Sequence, residues 1–285
     1  MGIHEAFESP PPKCGGCDVT FPEAHIMLAT INRPRQLNSI PYALHWEMDA
    51  LFKWFDNEPS LRVAIITGTG NRAFCVGSDL IEMQRVKKSG DDSWKAEPYK
   101  YTHPTTGFAG LSRREGKKPV VAAVNGYALG GGWEIVLNCD VVIAARNAQF
   151  GLPEAKVGLY AYGGGLPRLI RTAGLHVASE IALSGRSITA EEALQRNLVN
   201  YISKKPETLI DEAIEIARGI AAVSPDAMII TRSALREAWE IPSVERAFQN
   251  THERFYEKMM AGENSSEGLA AFREKRPPRW KPSKL

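Results

Sequence analysis

No stretch of the chain approaches the roughly 18 uninterrupted apolar residues that a membrane-spanning helix needs. The opening MGIHEAFESPPPKCGGCDVTF likewise lacks the apolar centre of a secretory signal. We therefore expect neither a membrane span nor secretion. Lipid anchoring is also missing its signal: Gly2 is present, but N-myristoylation asks for Ser or Thr at position 6 and the chain has Ala6. Excess charge of one sign is absent. Lys and Arg number 35 against 33 Asp and Glu, a formal +2, so composition gives no reason to expect nucleic acid or an acidic membrane as partner. Cysteine is scarce, with Cys14, Cys17, Cys75 and Cys139 the full set. In a chain of this length without a signal they are expected as free thiols. Cys14-Gly-Gly-Cys17 has CxxC spacing, but no second CxxC or His pair completes a metal site and no βαβ unit has begun. The expectation is a plain flexible loop, and no metal.

What is present is ordinary globular content. With 285 residues, 44% hydrophobic and 24% charged, the chain can bury a sizeable core as one large domain or a domain with an appendage. In the first half, short apolar runs at 25–31, 63–67, 120–124 and 141–144 are bounded by Gly, Pro or Asn, as buried strands are. Between the first two, Leu44, Met48, Leu51, Phe52 and Phe55 recur at helical spacing over 41–55. Strands alternating with helices predict an α/β domain. From residue 187 helix signals dominate. Thr189 with Glu192 reads as a capping box, and Ser224 before Pro225 as an N-cap. Leu209, Ala213, Ile216, Ala217 and Ile220 form an apolar stripe, and helical runs follow at 225–240 and 243–261. These faces need a partner, either the first domain or another subunit. Residues 84–107 are polar and irregular, a length of loop that suggests a lid, a binding loop or disorder. No internal repeat is visible.

LRVAIITGTGNRA at 61–73 contains Gly68-x-Gly70-x-x-Ala73 after a strand, a permissive dinucleotide pattern. It fails on context, because Phe74, Cys75 and Val76 continue as strand where a helix should start. YALGGGWEIVLNCD at 127–140 is the better anion site. A glycine opening a helix exposes its backbone N–H, and the helix dipole adds positive character there. Gly131 could thus donate to a developing oxyanion. A second donor is available in FCVGSDL at 74–80, where the turn after the strand could aim the Ser78 N–H at the same point, with Asp79 capping the next helix. The nucleophile-elbow pattern GxSxG is excluded by Leu80. Glu134 falls in the first turn of the glycine-started helix, and Glu154 lies in the turn after the strand in FGLPEAKVGL. Acidic residues favour helix starts for electrostatic reasons alone. Their pairing with glycine-built donors is what points to chemistry.

Taken together, INRPRQLNSI, RVAIITGTGNRAFCVGSDL, KPVVAAVNGYALGGGWEIVLNCD, FGLPEAKVGL and SEGLAAFREKRPP resemble the crotonase superfamily, the enoyl-CoA hydratase and isomerase group. The likeness covers nearly the whole chain. GFAGL at 107–111 and the C-terminal match are most similar to carnitinyl-CoA dehydratase-like members, beside the enoyl-CoA hydratases. It implies a crotonase-like α/β spiral of ββα units and a C-terminal helical trimerisation domain, with trimers that often pair. In those terms residues 1–20 would be a flexible segment, 21–205 the catalytic spiral and 206–282 the oligomerisation domain. Ser78 and Gly131 would form the oxyanion hole, and Glu134 and Glu154 the catalytic pair. Retention of both glutamates favours hydration or dehydration of a CoA thioester. An enoyl-CoA isomerase, an acyl-CoA hydrolase or a non-catalytic acyl-CoA binder are the alternatives.

The resemblance further points Arg33, Arg35, Gln36, Leu37, Val76, Asp79, Leu80 and Gly130 towards the CoA ester. Phe272 and Lys275 match a pair that reaches the nucleotide from a neighbouring subunit, although a Lys in FREKR also reads as a solvated face. No cofactor is implied beyond the coenzyme A of the substrate. YAYGGG at 160–165 departs from the usual pattern and puts Tyr160 and Tyr162 near the acyl pocket. The chain closes on Ser283-Lys284-Leu285, the tripeptide read by the peroxisomal import receptor, on an exposed-looking tail. A peroxisomal location is the corresponding expectation.

Overall fold

Each apolar run becomes a strand buried on both faces in the computed structural model, which describes residues 7–88 and 101–285. The elements run β1 (Cys17–Glu23), β2 (Ile26–Ile31), α1 (Tyr42–Asn57), β3 (Val63–Gly68), β4 (Ala73–Cys75), α2 (Leu80–Lys88), β5 (Val120–Val124), β6 (Tyr127–Leu129) and α3 (Gly131–Asn138). They continue with β7 (Val141–Ala144), β8 (Gln149–Gly151), α4 (Gly165–Ala173), α5 (Leu175–Ser184), β9 (Ser187–Thr189), α6 (Ala190–Gln195) and β10 (Tyr201–Ile202). Four helices close the chain: α7 (Leu209–Ala221), α8 (Pro225–Glu240), α9 (Val244–Ala261) and α10 (Glu263–Glu274).

Strands β1-β2-β3-β5-β7-β10 form one sheet and β4-β6-β8-β9 a second. The pairs β2–β3, β3–β5, β5–β7 and β7–β10 are parallel, with Ala64 opposite Val120 and Ala122 opposite Val142. Three successive units, β3–β4–α2, β5–β6–α3 and β7–β8–α4, each place one strand in the large sheet, the next in the small sheet, and then a helix. This is the spiral of ββα turns.

Period-two geometry explains why the strands read as unbroken apolar runs. Ala64, Ile66, Ala122, Val124, Val142 and Ala144 face one core, which also holds Phe74, Trp133 and Phe150. Val63, Ile65, Val121, Ala123 and Ile143 face a second core with Leu209, Ala213 and Ala217 of α7. With helices or a second sheet on both sides, neither face needs polar residues. The boundary expected at residue 206 therefore cuts through packed structure: α7 belongs to the large sheet, and the partner of its stripe is the first domain.

Two other expectations change. Residues 1–6 lie outside the described residues, but the segment expected to be flexible up to 20 is packed from Phe7, whose ring lies 4.6 Å from Phe21 and 5.4 Å from Trp54. Cys17 opens β1 and is buried, so Cys14-Gly-Gly-Cys17 is a tight turn into a strand. All four cysteines are free thiols. Of the irregular stretch 84–107, residues 84–88 finish α2, residues 89–100 lie outside the described residues, and 101–107 pack against α1. The capping box at Thr189 forms on one side only: its hydroxyl accepts the Glu192 N–H at 3.2 Å, while the Glu192 carboxylate turns to Arg186. Ser224 caps α8 by accepting from the Ala227 N–H.

Helix α8 is tied to the sheet through Asp140, which follows α3. Its carboxylate accepts from Arg232 Nε at 3.0 Å, Arg236 Nη2 at 2.9 Å and the Val120 N–H at 2.9 Å. The two guanidinium groups offset the burial of the Asp140 carboxylate, which is held below its usual range. The C-terminal tail, which reads as exposed in sequence, is laid against the body. Ser283 Oγ bonds Asp226, Lys284 Nζ meets Glu263 Oε1 at 2.9 Å, and Lys117 Nζ donates to the Leu285 carbonyl at 2.8 Å. Ser283 and Leu285 are half-buried.

Candidate active site

The turn before α3 is shaped for a backbone donor. Gly130 sits at φ 54°, ψ −130°, a conformation open to glycine and little else. It caps a helix whose Gly131 and Gly132 N–H groups have no intrahelical acceptor. A Cβ at position 132 would stand 2.1 Å from the Cys75 carbonyl, and one at 131 would stand 2.5 Å from the Phe108 ring. The helix start therefore lies flush against the end of β4 because neither residue has a side chain.

The Ser78 turn meets the same point. A Cβ on Gly77, itself at φ 93°, would lie 3.3 Å from the Gly131 nitrogen. Two backbone bonds clamp the turn: Ile40 N–H to the Gly77 carbonyl at 2.9 Å, and Asp79 N–H to the Ile40 carbonyl at 3.0 Å. Asp79 also accepts the Glu82 N–H at 3.2 Å, capping α2, and pairs with Arg33 at 3.0 Å. The Arg33 charge thus holds the 33–41 loop against the Ser78 turn.

Both carboxylates converge beside these donors. Glu134 is 3% exposed, and its oxygens accept the Gly163 N–H at 3.2 Å and the Gly165 N–H at 2.8 Å. Burial pushes its carboxyl up to about 7, helped by the charge of Glu154 and opposed by the two N–H groups and Arg168. Glu154 stands in the short 3-10 turn Pro153–Val157, with Oε1 3.2 Å from where a Gly130 Cβ would project. Burial raises its carboxyl as well, and its Oε2 is buried with no hydrogen-bond partner among the described residues. The Tyr162 hydroxyl feels the same neighbourhood: burial first, then Glu134 and Glu154, push its pKa up.

Among the other expected residues, Arg35, Gln36 and Leu80 are exposed, while Leu37 and Val76 are half-buried around the clamped turn. Tyr162 is close to both carboxylates; Tyr160, beside it, is 67% exposed. Phe272 and Lys275 are exposed at the end of α10 and share no hydrogen bond or ion pair with Glu134, Gly131 or Ser78 among the described residues. Gly163 and Gly165, which grip Glu134, are absent from the candidates named from sequence. The signal was available, since YAYGGG precedes α4 as YALGGG precedes α3. Among the described residues no His, Cys, Asp or Glu cluster could hold a metal ion, and no helix is long and apolar enough to cross a membrane.

A glycine-started helix, a second turn packed against its first N–H, the buried Glu134 on that helix and the half-buried Glu154 on the Pro153–Val157 turn bring together the groups an acid–base site needs beside a place for developing negative charge. The chain belongs to the enoyl-CoA hydratase/isomerase family, whose model matches residues 22–283. It is 47% identical to the mevalonyl-coenzyme A hydratase sidH of Aspergillus fumigatus over 274 residues, covering 96% of this chain and 98% of that protein. It is 37% identical over 255 residues to the carnitinyl-CoA dehydratase of Proteus mirabilis, covering 88% and 93%. The crystal structure of an enoyl-CoA hydratase from Mycobacterium tuberculosis superposes with a TM-score of 0.82 at 34% identity, over 94% of this chain and 99% of that one. The expected crotonase fold and the expected class, a lyase that hydrates or dehydrates a CoA thioester, are both met.

Proposed function

We propose that this protein adds and removes water across C2–C3 of a mevalonyl-type acyl-CoA, a branched chain hydroxylated beyond the reacting bond. The observation that supports the chemistry is the convergence of Glu134 and Glu154 on the glycine turn that presents the Gly131 N–H. The acyl assignment draws on the similarity to the fungal mevalonyl-coenzyme A hydratase.

In hydration, the thioester oxygen accepts the N–H groups of Ser78 and Gly131, which stabilise the charge that develops as water oxygen bonds to C3. Glu134, held by Gly163 and Gly165, takes the proton from that water. Glu154, whose Oε2 has no hydrogen-bond partner among the described residues, delivers a proton to C2 and holds the water in line. Dehydration reverses each step: Glu154 removes the C2 proton and Glu134 protonates the leaving hydroxyl. No group beyond the substrate's own coenzyme A is needed. Arg33, by fixing the Ser78 turn, positions a donor; Arg35, Gln36, Leu37, Val76, Asp79, Leu80 and Gly130 surround the ester.

A panel of enoyl-CoA and 3-hydroxyacyl-CoA esters tests this. Mass analysis should show gain or loss of one water, with kcat/KM for mevalonyl-CoA at least ~10-fold above that for 3-hydroxybutyryl-CoA. An isomerised product of unchanged mass would overturn the hydratase reading, and equal use of the two esters would overturn the acyl assignment.

The assembly proposed is a trimer or a pair of trimers, which would cover Leu235, Val244, Phe248 and Met260, apolar residues exposed on α8 and α9, and bring Phe272 and Lys275 to a neighbour's nucleotide. Light scattering reads the mass directly. Peroxisomal import through Ser283-Lys284-Leu285 is proposed with the condition that the docked tail detaches, and import of a fluorescent fusion, lost with Leu285→Ala, checks it.

A further inference from the structure

One buried polar atom beside the site has no role in the chemistry above. His103 Nε2 is shielded from solvent and has no hydrogen-bond partner among the described residues. Its ring stacks on Tyr162 at 5.0 Å with an interplanar angle of 7°, and stands edge-on to Phe108 at 5.3 Å. His45 lies 4.4 Å away.

These contacts form an aromatic cluster beside Gly131 and Glu134. Phe108 fills the space above Gly131 Cα. Tyr162 precedes Gly163, whose N–H holds Glu134. His103 bridges the two, one aromatic ring removed from the glycine donor. Burial favours the neutral form of both imidazoles. Burial lowers the His103 pKa to about 4 and lowers that of His45 well below its ordinary range, with His103 contributing. His45 Nδ1 accepts the Ala109 N–H at 2.9 Å, so its proton sits on Nε2. The cluster therefore holds a neutral nitrogen among aromatic rings, which a ligand group displacing a neighbouring ring edge would meet. That chemistry suits an uncharged hydroxyl, with no charge to attract a carboxylate or repel an ammonium group. An unpartnered buried nitrogen carries a desolvation cost that a substrate hydroxyl could recover.

We propose that His103 is a specificity-determining residue whose Nε2 hydrogen-bonds a hydroxyl on the acyl chain beyond the reacting C2–C3 bond, so that the site selects hydroxylated over plain acyl-CoA esters. The inference rests on the hydratase reading above and names the residue that would set its substrate class. Phe108 and Tyr162, which flank the His103 ring, would pack against the apolar part of the same acyl chain.

The test compares kcat/KM for 5-hydroxy-3-methylpent-2-enoyl-CoA and 3-methylpent-2-enoyl-CoA in the intact protein. His103→Phe keeps the stack on Tyr162 and removes the nitrogen, and the ratio of the two values should fall on the order of 10–100-fold. His103→Asn, which puts a hydrogen-bonding carboxamide in place of the ring nitrogen, should recover part of it. A loss equal on both esters, or none on the ratio, overturns the proposal. A second measurement needs no variant: in 15N-histidine spectra of the wild type, the His103 Nε2 resonance should shift with the saturated 5-hydroxy-3-methylpentanoyl-CoA and stay in place with 3-methylpentanoyl-CoA. The same response to both overturns the proposal. Wild-type protein that hydrates neither enoyl ester refutes the hydratase reading itself, whereas hydration without preference refutes only the role of His103.

Discussion

Glu134→Gln and Glu154→Gln are each expected to lower kcat for hydration by ~100–10,000-fold, with affinity for a saturated acyl-CoA changed only a few-fold. Each substitution keeps the shape of the side chain and removes the ability to exchange a proton. Full activity in either variant would sink the two-carboxylate mechanism. The pair must share one proton to act as acid and base at once, so kcat/KM is bell-shaped with pH, and the apparent values belong to the pair. With the Glu134 carboxyl pushed up to about 7 by burial, the falling limb is expected there. The same shift has a thermodynamic face. A carboxyl that holds its proton more tightly folded than unfolded favours the native state at low pH, and that contribution is lost as pH rises through the folded value. Unfolding free energy should thus decline between about pH 5 and 7, by up to ~3 kcal/mol. Urea melts of Glu134→Gln should show a flatter profile.

Gly131→Ala is expected to reduce kcat by ~100–1,000-fold, the range seen when an oxyanion donor is lost. The added Cβ would stand 2.5 Å from the Phe108 ring, so ring or helix start must move. Movement of the helix start displaces the N–H from the thioester oxygen. Phe108→Ala vacates that space, and in the double variant the two losses should not add, because the residues touch. A Gly131→Ala enzyme with wild-type kcat would show that the N–H at 131 is not a donor to the reacting oxygen, and strict additivity would show that Phe108 does not carry the displacement.

Much of this architecture announces itself locally. Strands β5 and β7 fall on the apolar runs at 120–124 and 141–144 because burial on both faces leaves nothing polar to blur their ends. Helix α8 begins where Ser224 and Pro225 require. The hairpin of β1 and β2 stayed hidden, since its turn is Ala24-His25, with His25 at φ 68° and no Gly, Asn or Asp to mark it. Position 206 looked like a domain edge because the family resemblance implies a C-terminal helical domain, whereas the packing of α7 against the sheet depends on strands far away in sequence.

The candidate site shows the same division. Gly131 and Glu134 were legible from one helix start. That Ser78 and Glu154 join them rests on contacts between different turns of the spiral, which no local pattern records; the turn after β4 suggested it for Ser78, and the family resemblance implied it for the pair of glutamates. His103 was invisible because it sits in a polar, irregular stretch. Its burial comes from Phe108, Tyr162 and α1 rather than from any periodicity of its own.

The spiral that gathers these pieces also governs how the chain must fold. Parallel neighbours lie far apart in sequence, with Ala64 opposite Val120 and Ile143 opposite Tyr201. Each pairing closes a long loop before its contacts repay the lost entropy. Helices α7 and α8 can form early and cheaply on local contacts, while the sheets wait on those closures. A folding chain halted after β5 already carries the Ser78 turn but has no Gly131 beside it. One halted before α4 has Glu134 without the N–H groups of Gly163 and Gly165. Catalytic competence should therefore appear late in refolding, after most helical signal has returned, and in step with closure of the third turn.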